Sequence, residues 1–215
     1  MRIVISAGPT REAIDPVRFI TNRSTGKMGY AIAEAALERN LQVTLVSGPV
    51  NLEPPAGVEF IPIESAADMA QAMKKASENA DMIVMAAAVA DYRPKQYSTS
   101  KVKKSDGDMC IELERTEDIL LTLGKNKKPG QILVGFAAET DDLLKNAQGK
   151  LERKNLDYIA ANIVGGPGRG FAADTNAITL IGRNNTIKEF ALQSKKALAG
   201  ALLDEILGDL DLNGQ

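Results

Sequence analysis

The amino-acid sequence predicts an α/β protein built on a doubly wound, mostly parallel sheet, with a β-hairpin appended towards the C-terminus. Three observations carry this expectation. Short apolar runs alternate with helix-like segments along most of the chain. Those runs are apolar at successive positions, as in strands buried on both faces by flanking helices. Past Asn162 the style changes to a glycine-rich stretch and two runs joined by a tight turn.

The elements follow in order. Arg2–Ser6, Gln42–Ser47, Glu59–Ile63, Asp81–Met85, Ile132–Phe136 and Tyr158–Ala161 read as buried strands. Gly26–Arg39, Ala66–Ser77, Ile119–Gly124 and Asp141–Lys154 read as helices between them. In the first helix Met28, Ile32, Ala35 and Ala36 form one apolar stripe, Ser24 is the expected cap and Asn40 the expected stop. Val164–Phe171 is a glycine-rich loop. Asn176–Ile181 and Thr186–Phe190 pair around a turn at Gly182–Asn185, and Ser194–Leu207 forms a last amphipathic helix. The arrangement is Rossmann-like. With 215 residues, no repeat and no long linker, it is expected to be a single domain over 1–215.

Composition narrows the chemistry. The hydrophobic fraction is 44%, the net charge −2, and there is no histidine. A near-neutral, slightly acidic chain is not an electrostatic nucleic-acid binder. Without histidine there is no Ser-His-Asp or Cys-His catalysis, and the commonest metal ligand is missing. A lone cysteine, Cys110, allows no internal disulfide; it alternates with apolar neighbours and is expected to be buried in a strand and inert. What remains is backbone N–H, Lys, Arg, Asn, hydroxyls and carboxylates, the groups that handle phosphates. Neither a secretory signal nor an apolar stretch of membrane-spanning length is seen, so a cytoplasmic enzyme is expected.

The first strand ends in Ser6-Ala7-Gly8-Pro9-Thr10. In a doubly wound sheet that end faces the ligand, and Gly8 allows backbone to approach a phosphate; a plain Gly-Pro turn reads equally well. The segment 11–25 separates strand from helix and carries Arg11, Asp15, Arg18, Asn22 and Arg23. A dinucleotide fingerprint would run directly from strand into helix, so it is absent; Gly26-Lys27 fails as a P-loop because Met28 stands where Ser or Thr should be. After the fourth strand, Ala86–Tyr92 (AAAVADY) is small enough to admit a flat ligand, with backbone amides expected to point into the cleft. Its bland reading is a strand-to-loop transition with Asp91 as a cap. Lys101-Val102-Lys103-Lys104 reads as a solvated loop or as a mobile lid over a polyphosphate. Lys150 and Lys154 share a helix face that is most simply a solvated one. These residues leave three readings open: a nucleotide-dependent ligase, an NAD(P)-dependent oxidoreductase, and a non-catalytic nucleotide-binding module. The missing fingerprint weighs against the second, and the long Arg/Asn loop with its lysine run against the third.

Taken together, Ala7–Glu12 (AGPTRE), Asp15–Gly29 (DPVRFITNRSTGKMG), Ala86–Tyr92, Lys101–Lys104, Gly135–Thr140 (GFAAET) and Lys150–Asp157 (KLERKNLD) resemble bacterial phosphopantothenoylcysteine synthetase, the phosphopantothenate–cysteine ligase of coenzyme A biosynthesis. The likeness covers nearly the whole chain in order. It implies that the carboxylate of 4′-phosphopantothenate attacks the α-phosphate of CTP and expels pyrophosphate. The amine of L-cysteine then attacks the acyl-cytidylate to give the amide and CMP. A carboxylate needs no base to become a nucleophile. The obstacle is bringing two anions together, about 4 kcal/mol for unit charges 4 Å apart at an effective dielectric of 20, which Mg2+, Lys and Arg offset.

The resemblance assigns Asn22, Arg18 and Lys101 to catalysis: Asn22 to the acyl-cytidylate, Arg18 to an anionic oxygen, Lys101 to the triphosphate or reacting centre. It assigns Asp91, Phe136, Lys150 and Lys154 to CTP, with the backbone around Met85, Ala86 and Ala87, the segment Glu117, Asp118, Ile119 and Leu120, and Ala88 lining the cleft. Gly8, Pro9 and Thr10 join the nucleotide set. Glu117 departs from the family, where proline is frequent. The resemblance further implies a homodimer with the site near the subunit boundary and the region about 163–191 as the contact. Phe171, Asp174 and Asn176 keep the family spacing there. It also implies a flavin-dependent decarboxylase as a fused or assembled partner in many bacteria. The metal ligands and the residues that bind phosphopantothenate and cysteine are not assigned by it.

Overall fold

Strands and helices alternate as the apolar runs predict, and four three-residue strands join them. A computed structural model describes residues 1–104, 107–139, 143–163, 173–184 and 186–213. Its first half runs β1 (Arg2–Ala7), β2 (Arg11–Ala13), β3 (Phe19–Thr21), α1 (Lys27–Glu38), β4 (Gln42–Ser47), β5 (Glu59–Pro62), α2 (Ala66–Ser77) and β6 (Met82–Met85). There follow β7 (Tyr92–Pro94), β8 (Leu113–Arg115), α3 (Ile119–Lys125), β9 (Ile132–Glu139), α4 (Leu143–Arg153), β10 (Tyr158–Ile163), β11 (Thr175–Gly182), β12 (Ile187–Ser194) and α5 (Lys195–Asn213).

The main sheet has eight strands in the order β12-β11-β10-β9-β6-β1-β4-β5. From β5 to β10 the pairing is parallel, and β11 and β12 add antiparallel strands. The hairpin is therefore not an appendage: β11 hydrogen-bonds to β10 and continues the sheet. From β1 the chain winds out to β4 and β5, then returns to β6 on the other side of β1. The switch point lies between β1 and β6, where a doubly wound sheet opens a crevice at the strands' carboxyl ends.

Strand periodicity divides the core. Ile3, Ile5, Val43, Leu45, Met82, Val84 and Val134 face α1 and α5, while Val4, Val46, Ile83, Met85 and Leu133 face α2, α3 and α4. α5 buries Leu198, Ala199, Leu202, Leu203 and Ile206 along one stripe, each large side chain worth roughly 1.5–3 kcal/mol in transfer. α2 starts with the reciprocal Ser65/Asp68 capping box.

Three expectations change. α1 is not capped by Ser24: Gly26 occupies the cap position at φ 78°, and no side chain caps the helix. Ser24 Oγ instead accepts the Gly26 N–H at 3.4 Å. Only a residue at ease with positive φ lets the chain turn here. A Cβ on Gly29 would lie 2.5 Å from Ala7 Cβ, so α1 rides directly on the end of β1. The segment 11–25 contains the ribbon β2–β3, and 92–115 contains β7–β8, rather than plain loop. Cys110 is exposed and outside any strand. The glycine-rich loop with Phe171, and Asn185 of the turn, lie outside the described residues.

Candidate active site

The floor of the crevice is the alanine run after β6. Its backbone is zipped to the end of β1. Ala88 N–H donates to the Gly8 carbonyl at 2.9 Å and Thr10 N–H to the Ala88 carbonyl at 3.3 Å. Ala87 N–H donates to Ser6 Oγ at 3.1 Å and Ala90 N–H to Thr10 Oγ1 at 3.0 Å. Buried N–H groups must find partners. Here the β1 end supplies them, so the amides of Ala87, Ala88 and Ala90 do not point into the cleft as expected. The alanines contribute room. Gly8, Pro9 and Thr10 lie beneath this floor and line neither cavity described next; Thr10 is fully buried.

Two cavities open above the floor. One, about 450 Å³, is lined by Met85, Ala87, Asp91, Glu117, Asp118, Ile119, Leu120, Phe136 and Lys154, with Tyr92 and Arg115 at its side. The other, about 350 Å³, is lined by Asn22, Ala86, Ala88 and Lys150 of the expected residues, and by Lys27, Asn162, Asn176 and Lys195. Ala87, Val89, Asp91 and Phe136 line both, so they are two lobes of one cleft.

The lobes differ electrostatically. In the larger one Asp118 caps α3 through the Leu121 N–H at 3.0 Å and holds Lys154 Nζ at 2.9 Å. Glu117 pairs with Lys74 at 2.7 Å, and hydrogen bonds from Lys74 and Thr122 keep its carboxyl below the usual carboxylate range. The smaller lobe gathers cations and amides. Lys27 enters from the first turn of α1 and pairs with Asp174 at 2.5 Å, which holds the Asp174 carboxyl below its ordinary value. Lys195, at the start of α5, is only 6% exposed; burial, then the neighbouring Lys27, lower its pKa. Asn22 sits across the floor, its Nδ2 donating to the Ala88 carbonyl at 3.0 Å. The first turn of α1 faces the same lobe without a side-chain cap, which favours a bound anion.

Arg18 and Lys101 lie elsewhere. Neither lines either lobe. They are nevertheless neighbours: Arg18 Nη2 donates to the Val102 carbonyl at 3.1 Å, next to Lys101. Both belong to a flap formed by the two ribbons and the segment 95–104. Lys27, Lys195 and Asn162 carried no assignment from the sequence, and Asn176 carried only its spacing. Lys27 gave no readable signal, since Ser24 offered a cap and only the structure shows the helix start to lack one. Nor did Lys195, since Ser194-Lys195-Lys196 looks like any solvated helix start.

The geometry can be set beside known proteins. Residues 1–210 match the family described as the DNA/pantothenate metabolism flavoprotein C-terminal domain. The chain belongs to that family. A curated protein similar to this chain is the coenzyme A biosynthesis bifunctional protein CoaBC of Bacillus subtilis (strain 168), 53% identical over 95% of this chain and 50% of the relative. A cysteine/cysteine sulfinic acid decarboxylase from an unknown prokaryotic organism is 49% identical over 96% of this chain and 58% of its own length. The domain thus spans about half the length of the curated relatives it matches. Among solved structures, the C-terminal domain of a coenzyme A biosynthesis bifunctional protein CoaBC superposes with a TM-score of 0.83 at 45% identity, covering 98% of this chain and 95% of that one.

Proposed function

We propose that this domain is a phosphopantothenate–cysteine ligase. It joins 4′-phosphopantothenate to L-cysteine through an acyl-cytidylate made from CTP, within coenzyme A biosynthesis. One observation carries the reading: a lobe fit for a base and sugar, walled by Phe136, Asp91 and Lys154, meets a lobe with three lysines over one shared floor. Family membership supports it, and so does the likeness to the C-terminal half of proteins named for coenzyme A biosynthesis. An NAD(P) oxidoreductase is disfavoured, because the ribbon β2–β3 occupies the turn where a dinucleotide fingerprint would run.

The chemistry follows from the two lobes. The nucleotide lies in the larger one with its triphosphate towards Asn22. The phosphorylated acid lies in the smaller one, its phosphate drawn by Lys27, Lys195 and the uncapped start of α1 and its carboxylate aimed back at the α-phosphate. Holding both near the junction converts a bimolecular encounter into a local one. An amide at Asn22 can donate to the phosphoryl or acyl oxygen without adding charge. Arg18 and Lys101 reach the centre only by movement of the flap or from a neighbouring copy. The ribbons expose Val17, Phe19, Tyr92, Met109 and Leu113, a broader apolar face than Ile187 and Leu192 on β12, so we place the homodimer contact on the ribbons rather than on the hairpin.

Among the described residues no group of three or more His, Cys, Asp or Glu could hold a metal, and Glu117 and Asp118 already pair with lysines. Mg2+ enters this reading on the triphosphate, which needs few protein oxygens. A cytoplasmic place belongs to the same proposal, with no described helix long and apolar enough to cross a membrane. So does a flavin-dependent decarboxylase partner, supported by the bifunctional name and greater length of the B. subtilis relative. The test is direct: the protein with Mg2+, CTP, 4′-phosphopantothenate and L-cysteine is expected to release pyrophosphate and form CMP. A folded sample that releases none overturns the reading.

A further inference from the structure

Asp15 touches neither lobe, yet its side chain is 0% exposed beside an Arg18 that is 40% exposed. Its Oδ1 accepts the backbone N–H groups of Val17 and Arg18, both at 2.9 Å, the ordinary way an aspartate tightens a turn. Its Oδ2 does something else. It accepts Arg18 Nε at 3.1 Å, Arg18 Nη2 at 2.6 Å, and the backbone N–H of Val102 at 3.1 Å. Arg18 Nη2 closes the triangle on the Val102 carbonyl at 3.1 Å. Close by, Ser98 N–H donates to the Ile14 carbonyl at 3.1 Å. One carboxylate oxygen therefore joins two segments far apart in sequence, and each carries one of the flap cations, Arg18 and Lys101. The Arg18 guanidinium beside it holds the Asp15 carboxyl well below the usual carboxylate range, so it acts only as an acceptor.

We propose that Asp15 is a positioning residue that fixes the Arg18 guanidinium and the backbone next to Lys101 as one unit, so that the two cations arrive at the reacting phosphoryl group together. This rests on the ligase reading. Asp15 touches nothing in the nucleotide lobe, so its loss is felt in the transition state and not in the binding of CTP.

The test uses Asp15→Asn, which keeps the size and the Oδ1 acceptor but turns an NH2 group towards the Val102 N–H and Arg18. Hydrogen exchange at the Val102 amide is expected to accelerate at least tenfold, while amides of β6 and α1 keep their rates. The kcat for pyrophosphate release is expected to fall at least tenfold with KM for CTP changed less than twofold. Val102→Pro, in a segment without helix or strand, removes the N–H donor, and also fixes φ at 102 and restrains Lys101; it is expected to lower kcat at least threefold with the same unchanged KM, and it stands in for Asp15→Asn if that variant does not fold. Unchanged Val102 exchange in folded Asp15→Asn overturns the tie, and so does unchanged kcat in either folded variant. If the wild-type protein releases no pyrophosphate, the ligase reading fails, whereas Val102 exchange still reports on the tie.

Discussion

The two lobes of the cleft share a floor but not a character. In the larger lobe two wall carboxylates are paired, Asp118 with Lys154 and Glu117 with Lys74. There a ligand must compete for polar groups, and shape and stacking on Phe136 carry more of the fit. In the smaller lobe Lys27, itself paired with Asp174, converges with Lys150 and Lys195, and Lys195 is held in a place that disfavours its charge. A buried ammonium weakened by its surroundings gains most when an anion arrives. The difference teaches where each kind of selectivity sits: the larger lobe sorts by form, the smaller by charge.

Three substitutions break or sharpen this contrast. The largest effect is expected at the junction. Asn22→Asp puts a carboxylate where charge must be stabilised, and steady-state product formation is expected to fall by about 10²-fold or more, with the acyl-cytidylate detectable by rapid quench. Unaltered turnover would remove Asn22 from the centre. Next comes Lys195→Met, which is expected to raise KM for 4′-phosphopantothenate roughly tenfold or more, leave KM for CTP within about twofold, and hold or raise Tm. The same lysine predicts a pH effect. Its folded pKa lies below the ordinary 10.5, so in the window between the two the unfolded chain binds more protons and stability rises with pH. Affinity for the acid moves the other way, falling as pH climbs through the lowered value; a KM that stays flat until 10.5 would contradict this. The smallest effect belongs to Lys74→Met. Glu117 has a lowered carboxyl pKa, so its pair contributes above the unfolded value and is lost as pH falls through the folded one. Being half exposed, it is worth under about 1 kcal/mol. Denaturant melts at neutral pH should show that small loss, and equal loss at low pH would refute the assignment.

Much of this molecule was legible in the sequence, for identifiable reasons. The parallel strands announced themselves because runs such as Ile3–Ile5 and Met82–Met85 are buried on both faces. The ribbons did not, since β2, β3, β7 and β8 are three residues each, too short for any periodicity. Met109, Ile111 and Leu113 alternate as a buried strand would, and this is why Cys110 was expected inside, yet all three are exposed. Ser24 offered a hydroxyl cap in the usual place, but the close approach of Gly29 to Ala7 fixes how the chain enters α1. The alanine run signalled the floor of a cleft, while the direction of its amides depended on β1, a partner distant in sequence. Lys195 was hidden for the same reason: only the fold brings the end of β12 next to Lys27.

That floor has one more consequence. Ala87, Ala88 and Ala90 satisfy their donors on the protein itself, so under the proposed reading these three amides are not available to a nucleobase. Under that reading, discrimination between nucleobases falls to the side chains around the larger lobe, Asp91, Asp118, Phe136 and Lys154 among them. A change of nucleotide preference in such a domain would then be written in those side chains, over an unaltered foundation.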